Sequence, residues 1–124
     1  MSHHDDFLAD WRTFWADPSP ERAGALAHPD LVMSFPGQTE QIVGVDGWRE
    51  RVAGLLARFP DLRLEPTRAA SNDEGYMFIS WRAAVTLGGE LRTFEGVDRM
   101  LLVDGLVKET LVAFDTSIFA GATA

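Results

Sequence analysis

The hydrophobic period of the chain changes at Pro60, and this change limits the folds that the sequence can adopt. Before Pro60, apolar residues recur at i, i+4, i+7 and i+8, the spacing of one helix face. After Pro60 they alternate with polar residues, the spacing of strands with one buried face. Helices followed by strands predict an α+β fold, with about three helices packed on one face of a curved antiparallel sheet.

The residues before Pro60 predict two helices, a short strand pair and a third helix. The first helix falls at 5–18, and a second, short helix runs from the N-cap Ser19 to about Ala27. Residues 31–35 and 39–44 predict the two strands. The apolar face of the first helix consists of Phe7, Trp11, Phe14 and Trp15.

The third helix is predicted within residues 45–61 and ends at Pro60. Because its arginines and glutamates fall between the apolar positions, we expect them to face solvent. Its apolar face consists of Trp48, Val52, Leu55, Leu56 and Phe59.

The residues after Pro60 predict four consecutive antiparallel strands. Proline lacks a backbone donor, so Pro66 predicts an edge strand or a bulge in the first of them. Turns are expected at 72–75, at Gly88-Gly89 and at Asp104-Gly105. The four strands are predicted at 62–71, 76–87, 90–103 and 106–114.

A chain of 124 residues has the length of one domain with its own core, so we expect a single domain, 1–124.

The composition excludes several classes of function. A net charge of −8 and a pI near 4.7 argue against binding to nucleic acid or to an anionic membrane surface. The absence of cysteine excludes disulfides and thiolate chemistry. We find no motif for a phosphate, a metal or a cofactor, and none is implied. No secretory signal or membrane span is visible, so we expect a cytoplasmic protein.

One column of the third of these strands contains a carboxylic acid among residues that should face the core. The column consists of Phe94, Gly96, Asp98, Met100 and Leu102. A carboxyl group in an apolar environment is expensive to ionise, so we expect its pKa to be raised. Asp98 is therefore the candidate for a catalytic role.

Three segments resemble the SnoaL-like branch of the nuclear-transport-factor-2-like superfamily, which includes ketosteroid isomerases and polyketide cyclases. They are HPDLVMSFPG at 28–37, IVGVDGWRERV at 42–52 and EGVDRMLLVDGLVKETLVAFD at 95–115. The resemblance implies a cone in which helices close a curved sheet over an apolar pocket. It also implies homodimers formed through the outer face of the sheet.

The resemblance assigns Asp98 to the aspartate that donates a hydrogen bond to the oxyanion in ketosteroid isomerase, where the carboxyl stays protonated. Phe35 stands where that family has its general base. The first helix offers Trp11, Arg12 and Trp15 in place of the family's tyrosine. The acid–base motif of polyketide cyclases is replaced here by 110–112, which carries no acid or base.

The resemblance and the strand parity together predict a pocket for a small apolar carbonyl compound. Its predicted lining consists of Trp15, Met33, Phe35, Trp48, Val52, Trp81, Phe94, Met100, Thr110, Val112 and Phe114. One hypothesis is an isomerase or cyclase that uses Asp98 as an electrophilic acid. The alternative is a non-catalytic module that binds a small ligand, or one that dimerises or docks another chain.

Two further questions stay open from the sequence. The general base has no assigned residue, and His28 and Glu40 are the candidates, while Gln38 and Glu40 are expected near the mouth of the pocket. Asp98 also has a purely structural interpretation, in which it pairs with a buried arginine, Arg82 or Arg12, or caps a backbone donor. For a dimer or docking surface, the outer-face candidates are Tyr76, Phe78, Val97 and Leu101.

Overall fold

The computed structural model describes residues 3–35 and 39–114. Helix α1 spans His3–Ala16, and helix α2 spans Pro20–Ala23 and continues into a 3-10 turn at Gly24–Leu26. Ser19 caps α2 as predicted, because its Oγ accepts a hydrogen bond from the Arg22 amide at 3.2 Å. The chain then enters strand β1, Ala27–Ser34, and the short strand β2, Ile42–Val43.

Helix α3 spans Gly44–Arg58 and stops before Pro60, as the sequence predicts. Four long strands follow: β3 at Arg63–Ser71, β4 at Tyr76–Leu87, β5 at Glu90–Val103 and β6 at Leu106–Phe114. Strand β4 alternates strictly between buried and more exposed residues, which confirms the change of period after Pro60.

The six strands form one sheet in the order β2-β1-β6-β5-β4-β3. The predicted four-strand antiparallel meander is confirmed, but the sheet as a whole is mixed, because β1 pairs with β6 in parallel. The purely antiparallel sheet that the sequence predicted is wrong in this one pairing. Local alternation predicts a strand and its faces, whereas the direction of a distant partner depends on the path of the chain.

Register shifts interrupt three ladders of the described strands, including the β1–β6 pairing between Ala27 and Val32. One lies between Pro66 and Arg68 on β3, where the sequence predicted an edge or a bulge. Another lies in the β5–β6 pairing between Leu101 and Leu102, where the register skips Lys108. Because the extra residue lies on β6, the alternation of β5 through Asp98 is not interrupted.

The helices pack on one face of the sheet and bury two apolar clusters. The larger cluster joins α1 and α3 to β1 and to the β4–β6 sheet, and it includes Trp11, Trp48, Leu31 and Ile79. The smaller cluster lies where the end of α3 meets β4, and it includes Phe59, Trp81 and Val85. Within the described residues, no helix is long and apolar enough to cross a membrane.

Candidate functional site

A cavity of about 500 Å³ lies between the helices and the concave face of the sheet. Its helical side is built on a cluster of indoles, in which the rings of Trp11 and Trp48 are stacked with centroids 6.2 Å apart. Its sheet side carries the rings of Trp81, Phe94 and Phe114, whose centroids lie between 5.7 and 6.0 Å apart. Aromatic walls on both sides suit a planar apolar ligand.

All the predicted pocket residues except Val52 lie around this one cavity. Val52 is completely buried in the larger core cluster and does not line the cavity, so its assignment to the pocket is wrong. On the inner side of helix α3, some residues pack into the core and others line the cavity. The residues placed around the cavity as predicted are Trp15, Met33, Phe35, Trp48, Trp81, Phe94, Asp98, Met100, Thr110, Val112 and Phe114.

Asp98 lines the cavity and is only 4% exposed. The indole Nε1 of Trp81 donates a hydrogen bond to Asp98 Oδ1 at 3.0 Å. Burial raises the pKa of Asp98 to about 7, and the hydrogen bond from Trp81 acts in the opposite direction. Asp98 is therefore protonated in a large fraction of molecules near neutral pH, and Oδ2 is the oxygen that can carry the proton.

Gly96 makes room for the indole that contacts Asp98. Gly96 pairs directly with Trp81 across β4 and β5. A Cβ at Gly96 would lie 2.2 Å from a ring carbon of Trp81 and 2.7 Å from the backbone oxygen of Ala113. The glycine therefore lets the ring lie against the strand, with its nitrogen directed at the carboxyl group two residues further along.

Three other polar groups of the cavity lining are buried without a hydrogen-bond partner among the described residues. They are the indole Nε1 of Trp15 on α1, the Nε of Arg51 on α3 and the hydroxyl of Thr110 on β6. Thr110 pairs with Met100 on β5 and with Met33 on β1, so it lies on the same face of the sheet as Asp98. A buried polar atom without a partner costs free energy, and such atoms cluster at binding sites.

Helix α3 also contributes charged groups that the sequence analysis assigned to solvent. Arg51, Arg58 and Glu50 line the cavity, and the guanidinium carbon of Arg51 lies 4.2 Å from the centroid of the Phe35 ring. Glu50 and Arg58 are exposed as expected, whereas Arg51 is half-buried, so the expectation that the charged residues of this helix face solvent is wrong for Arg51. Arg51 stands three residues after Trp48, so the helical period itself places it on the inner side.

The residues predicted as partners of Asp98 lie elsewhere. Arg82 is exposed, and Arg12 is directed to the backbone oxygen of Pro66 at 3.4 Å. The structural interpretation, in which Asp98 pairs with a buried arginine, is thus not what the structure contains. The partner is Trp81, which the sequence analysis had assigned only to the pocket wall.

The candidates for a general base are not in the cavity lining. His28 Nδ1 accepts a hydrogen bond from the Asp30 amide at 3.0 Å within strand β1, and Glu40 is exposed. Gln38 lies outside the described residues. Among the described residues, the lining contains Asp98 and Glu50 as its carboxyl groups, and no group of three or more metal-ligating side chains occurs.

The fold and the cavity together define an α+β protein with a nuclear-transport-factor-2-like, ketosteroid-isomerase-like cone. A sequence model of the SnoaL-like domain matches residues 6–110, so the chain belongs to the SnoaL-like family. The family resemblance that the motifs predicted is confirmed. Comparison with functionally curated proteins gives no match.

Solved structures of similar fold cover nearly the whole chain. A nuclear-transport-factor-2-like protein of unknown function from Burkholderia pseudomallei K96243 superposes with a TM-score of 0.86 at 18% identity, covering 100% of both chains. TerC, crystallised with polyporic acid, gives a TM-score of 0.83 at 20% identity, with 98% of each chain covered. A candidate SnoaL-like polyketide cyclase from Jannaschia sp. CCS1 gives 0.80 at 16% identity, covering 98% of this chain and 92% of its own. At these identities the likeness establishes the fold alone.

Proposed function

We propose that this protein binds a small, largely apolar carbonyl compound in the cone cavity and that Asp98, in its protonated form, donates a hydrogen bond to the carbonyl oxygen. The observation that carries the proposal is the buried carboxyl group of Asp98, with its raised pKa, in the wall of an aromatic cavity of about 500 Å³. A neutral acid in an apolar site is a strong donor to an oxygen that gains negative charge. The crystal structure of TerC with polyporic acid supports a small-molecule ligand for this fold.

The finer proposal is that the protein is an isomerase or a cyclase. In this mechanism, a base removes a proton from the carbon beside the carbonyl while Asp98 passes its proton to the carbonyl oxygen, which gives an enol and leaves Asp98 as a carboxylate. Phe35 occupies the place of the base in ketosteroid isomerase and cannot accept a proton. Glu50 is the remaining carboxylate of the described lining and is the residue to test as the base.

Binding is tested with two ligands that differ only in the carbonyl group, 2-acetonaphthone and 2-ethylnaphthalene. Indoles line the cavity, so quenching of tryptophan fluorescence reports binding of either compound. The wild type is expected to prefer the ketone by about tenfold, the value of roughly one buried hydrogen bond. In Asp98→Leu this preference should disappear. If Asp98→Leu prefers the ketone as strongly as the wild type does, the proposed role of Asp98 is contradicted.

Catalysis is tested separately by the exchange of the methyl protons of 2-acetonaphthone for deuterium in heavy water, followed by NMR. An enzyme that forms the enol accelerates this exchange, and Glu50→Gln should slow it if Glu50 is the base. The alternative function is a non-catalytic binding module, which Phe35 and Val112 favour because neither can transfer a proton. Such a module binds the ketone without accelerating the exchange.

We also propose that the outer face of the sheet is the surface that contacts a second copy of the chain. Phe78, Val97 and Leu111 are 38%, 44% and 38% exposed on neighbouring strands. Phe78 and Leu111 both pair with Arg99, so the three apolar residues lie around one arginine on this face. Exposed apolar side chains grouped in this way are typical of a contact surface. A cytoplasmic location stays a prediction from the sequence.

A further inference from the structure

Two arginines of helix α3 line the cavity without a carboxylate partner among the described residues. Arg51 and Arg58 make no ion pair or hydrogen bond there, although the chain carries nineteen acidic residues against eleven basic ones. The three ion pairs of the described residues use other arginines, on α3, β3 and β5. Since acidic residues outnumber basic ones in this chain, the absence of a carboxylate partner for these cavity arginines in the described part of the chain points to a role in binding.

The surroundings of Arg51 hold its guanidinium in place. The group lies over the ring of Phe35, with 4.2 Å between the guanidinium carbon and the ring centroid. Its Nε is buried without a hydrogen-bond partner among the described residues. A guanidinium held by stacking loses little further freedom when it binds a ligand, and its remaining N–H groups suit a planar anion.

Arg58 adds a second positive charge to the same wall. Its guanidinium carbon lies 5.0 Å from the centroid of the Phe59 ring, and both residues line the cavity. Burial and the charge of Arg58 lower the pKa of Arg51 below its ordinary value. Glu50 lies beside them but is exposed and binds neither arginine. An anion placed between the arginines would relieve both their repulsion and the missing hydrogen bonds.

We infer that the ligand of this cavity is an acid as well as a carbonyl compound, and that Arg51, assisted by Arg58, binds its anionic group, a carboxylate or an ionised enol. The inference rests on the proposed function, since it assigns the other end of the same ligand. Asp98 on β5 binds the carbonyl oxygen, and α3 on the opposite wall binds the anion. This arrangement orients a planar ligand in the cone, because the two ends are recognised by different chemistry.

The test compares a neutral and an anionic ketone, 2-acetonaphthone and 6-acetyl-2-naphthoic acid, by fluorescence titration of the wild type and of Arg51→Met. Methionine keeps an unbranched side chain over Phe35 but removes the charge. The control is Arg68→Met on β3, which makes the same change of charge at an exposed position outside the cavity. The wild type should bind the acid more tightly than the ketone. Arg51→Met should lower the affinity for the acid by at least tenfold and the affinity for the ketone by less than twofold. Arg68→Met should change neither affinity.

Failure of the inference and failure of the proposed function give different results. If the wild type binds the ketone but does not prefer the acid, or if Arg51→Met weakens both ligands equally, the anion site is overturned and carbonyl binding stands. If the wild type binds the acid in an Arg51-dependent way but not the ketone, the anion site stands and carbonyl binding is overturned. Binding of neither compound overturns both. A circular dichroism spectrum and a thermal unfolding curve show that each variant is folded before it is titrated.

Discussion

The indole of Trp81 donates its N–H to the carboxyl group of Asp98 at 3.0 Å, inside a cavity whose wall is otherwise mostly apolar. The two residues lie on adjacent strands, where Trp81 pairs with Gly96 and Asp98 is the next inward residue. Among the described residues, this is the hydrogen bond that the carboxyl group makes. It leaves the second oxygen of Asp98 for a ligand.

Replacing Trp81 by phenylalanine should raise the pKa of Asp98 above its wild-type value of about 7. The hydrogen bond from the indole stabilises the carboxylate, so its loss favours the protonated form. The pKa is measured by NMR on protein with carbon-13 in the aspartate carboxyl groups. The matched control is Trp15→Phe, which removes an indole of the same cavity whose Nε1 has no hydrogen-bond partner among the described residues. A pKa that stays unchanged in Trp81→Phe would contradict the assigned hydrogen bond.

The raised pKa of Asp98 should make the protein less stable as the pH rises. The folded state binds this proton up to a pH of about 7, whereas the unfolded chain releases it near pH 3.9. Between these values the folded state holds more protons, so the free energy of unfolding falls with rising pH, by about 4 kcal/mol from this group. The stabilisation from the proton on Asp98 is complete below about pH 4 and is lost as the pH rises through about 7.

The measurement is a series of urea titrations of the wild type and of Asp98→Asn from pH 4 to pH 8. Asparagine has nearly the shape of the protonated acid but does not titrate, so other carboxyl groups cancel in the difference between the two proteins. We expect the variant to gain stability relative to the wild type as the pH rises. A difference that is the same at every pH would mean that the pKa of Asp98 is not raised.

The inward column of β5 illustrates what could be predicted from the sequence. Alternation placed Phe94, Asp98 and Met100 on the face that the structure turns toward the cavity, because a strand has a fixed period of two. A bulge before Asp98 would have reversed this, and alternation alone does not locate bulges. The extra residue of the observed bulge is Lys108 on β6, so the alternation of β5 holds.

Helix α3 illustrates what the sequence left undetermined. Trp48, Arg51, Val52 and Leu55 all fall on one side by the helical period, but Val52 packs into the core while Arg51 lines the cavity. The helical period does not distinguish these two positions, because what each side chain contacts depends on the assembled fold. The parallel pairing of β1 with β6 could not be predicted from the sequence for the same reason, because it joins distant parts of the chain.

Substituting alanine for Gly96 should destabilise the protein by about 2 kcal/mol or more, the range expected for overpacking in a core. The new Cβ would overlap the Trp81 ring and approach the backbone oxygen of Ala113, which is not free to move. The control is Gly54→Ala in α3, where a Cβ would meet nothing within 4 Å. That substitution should stabilise the helix by about 0.5 to 1 kcal/mol. Urea titration measures both, and a Gly96→Ala protein as stable as the wild type would refute the close packing of Trp81.

Introducing a charge on the outer face of the sheet should dissociate the proposed dimer. In Val97→Glu, a carboxylate replaces an apolar side chain that lies between the strands carrying Phe78 and Leu111. Burying it against the same charge of a second copy is unfavourable. The molar mass is measured by size-exclusion chromatography with light scattering, for which we expect twice the chain mass of 13.7 kDa for the wild type and the single chain mass for the variant. Leu91→Glu, 71% exposed near the Gly88-Gly89 turn and six residues before Val97 on β5, should remain a dimer. A wild type that elutes at the mass of one chain would exclude the dimer, and a Val97→Glu protein that stays dimeric would place the contact elsewhere.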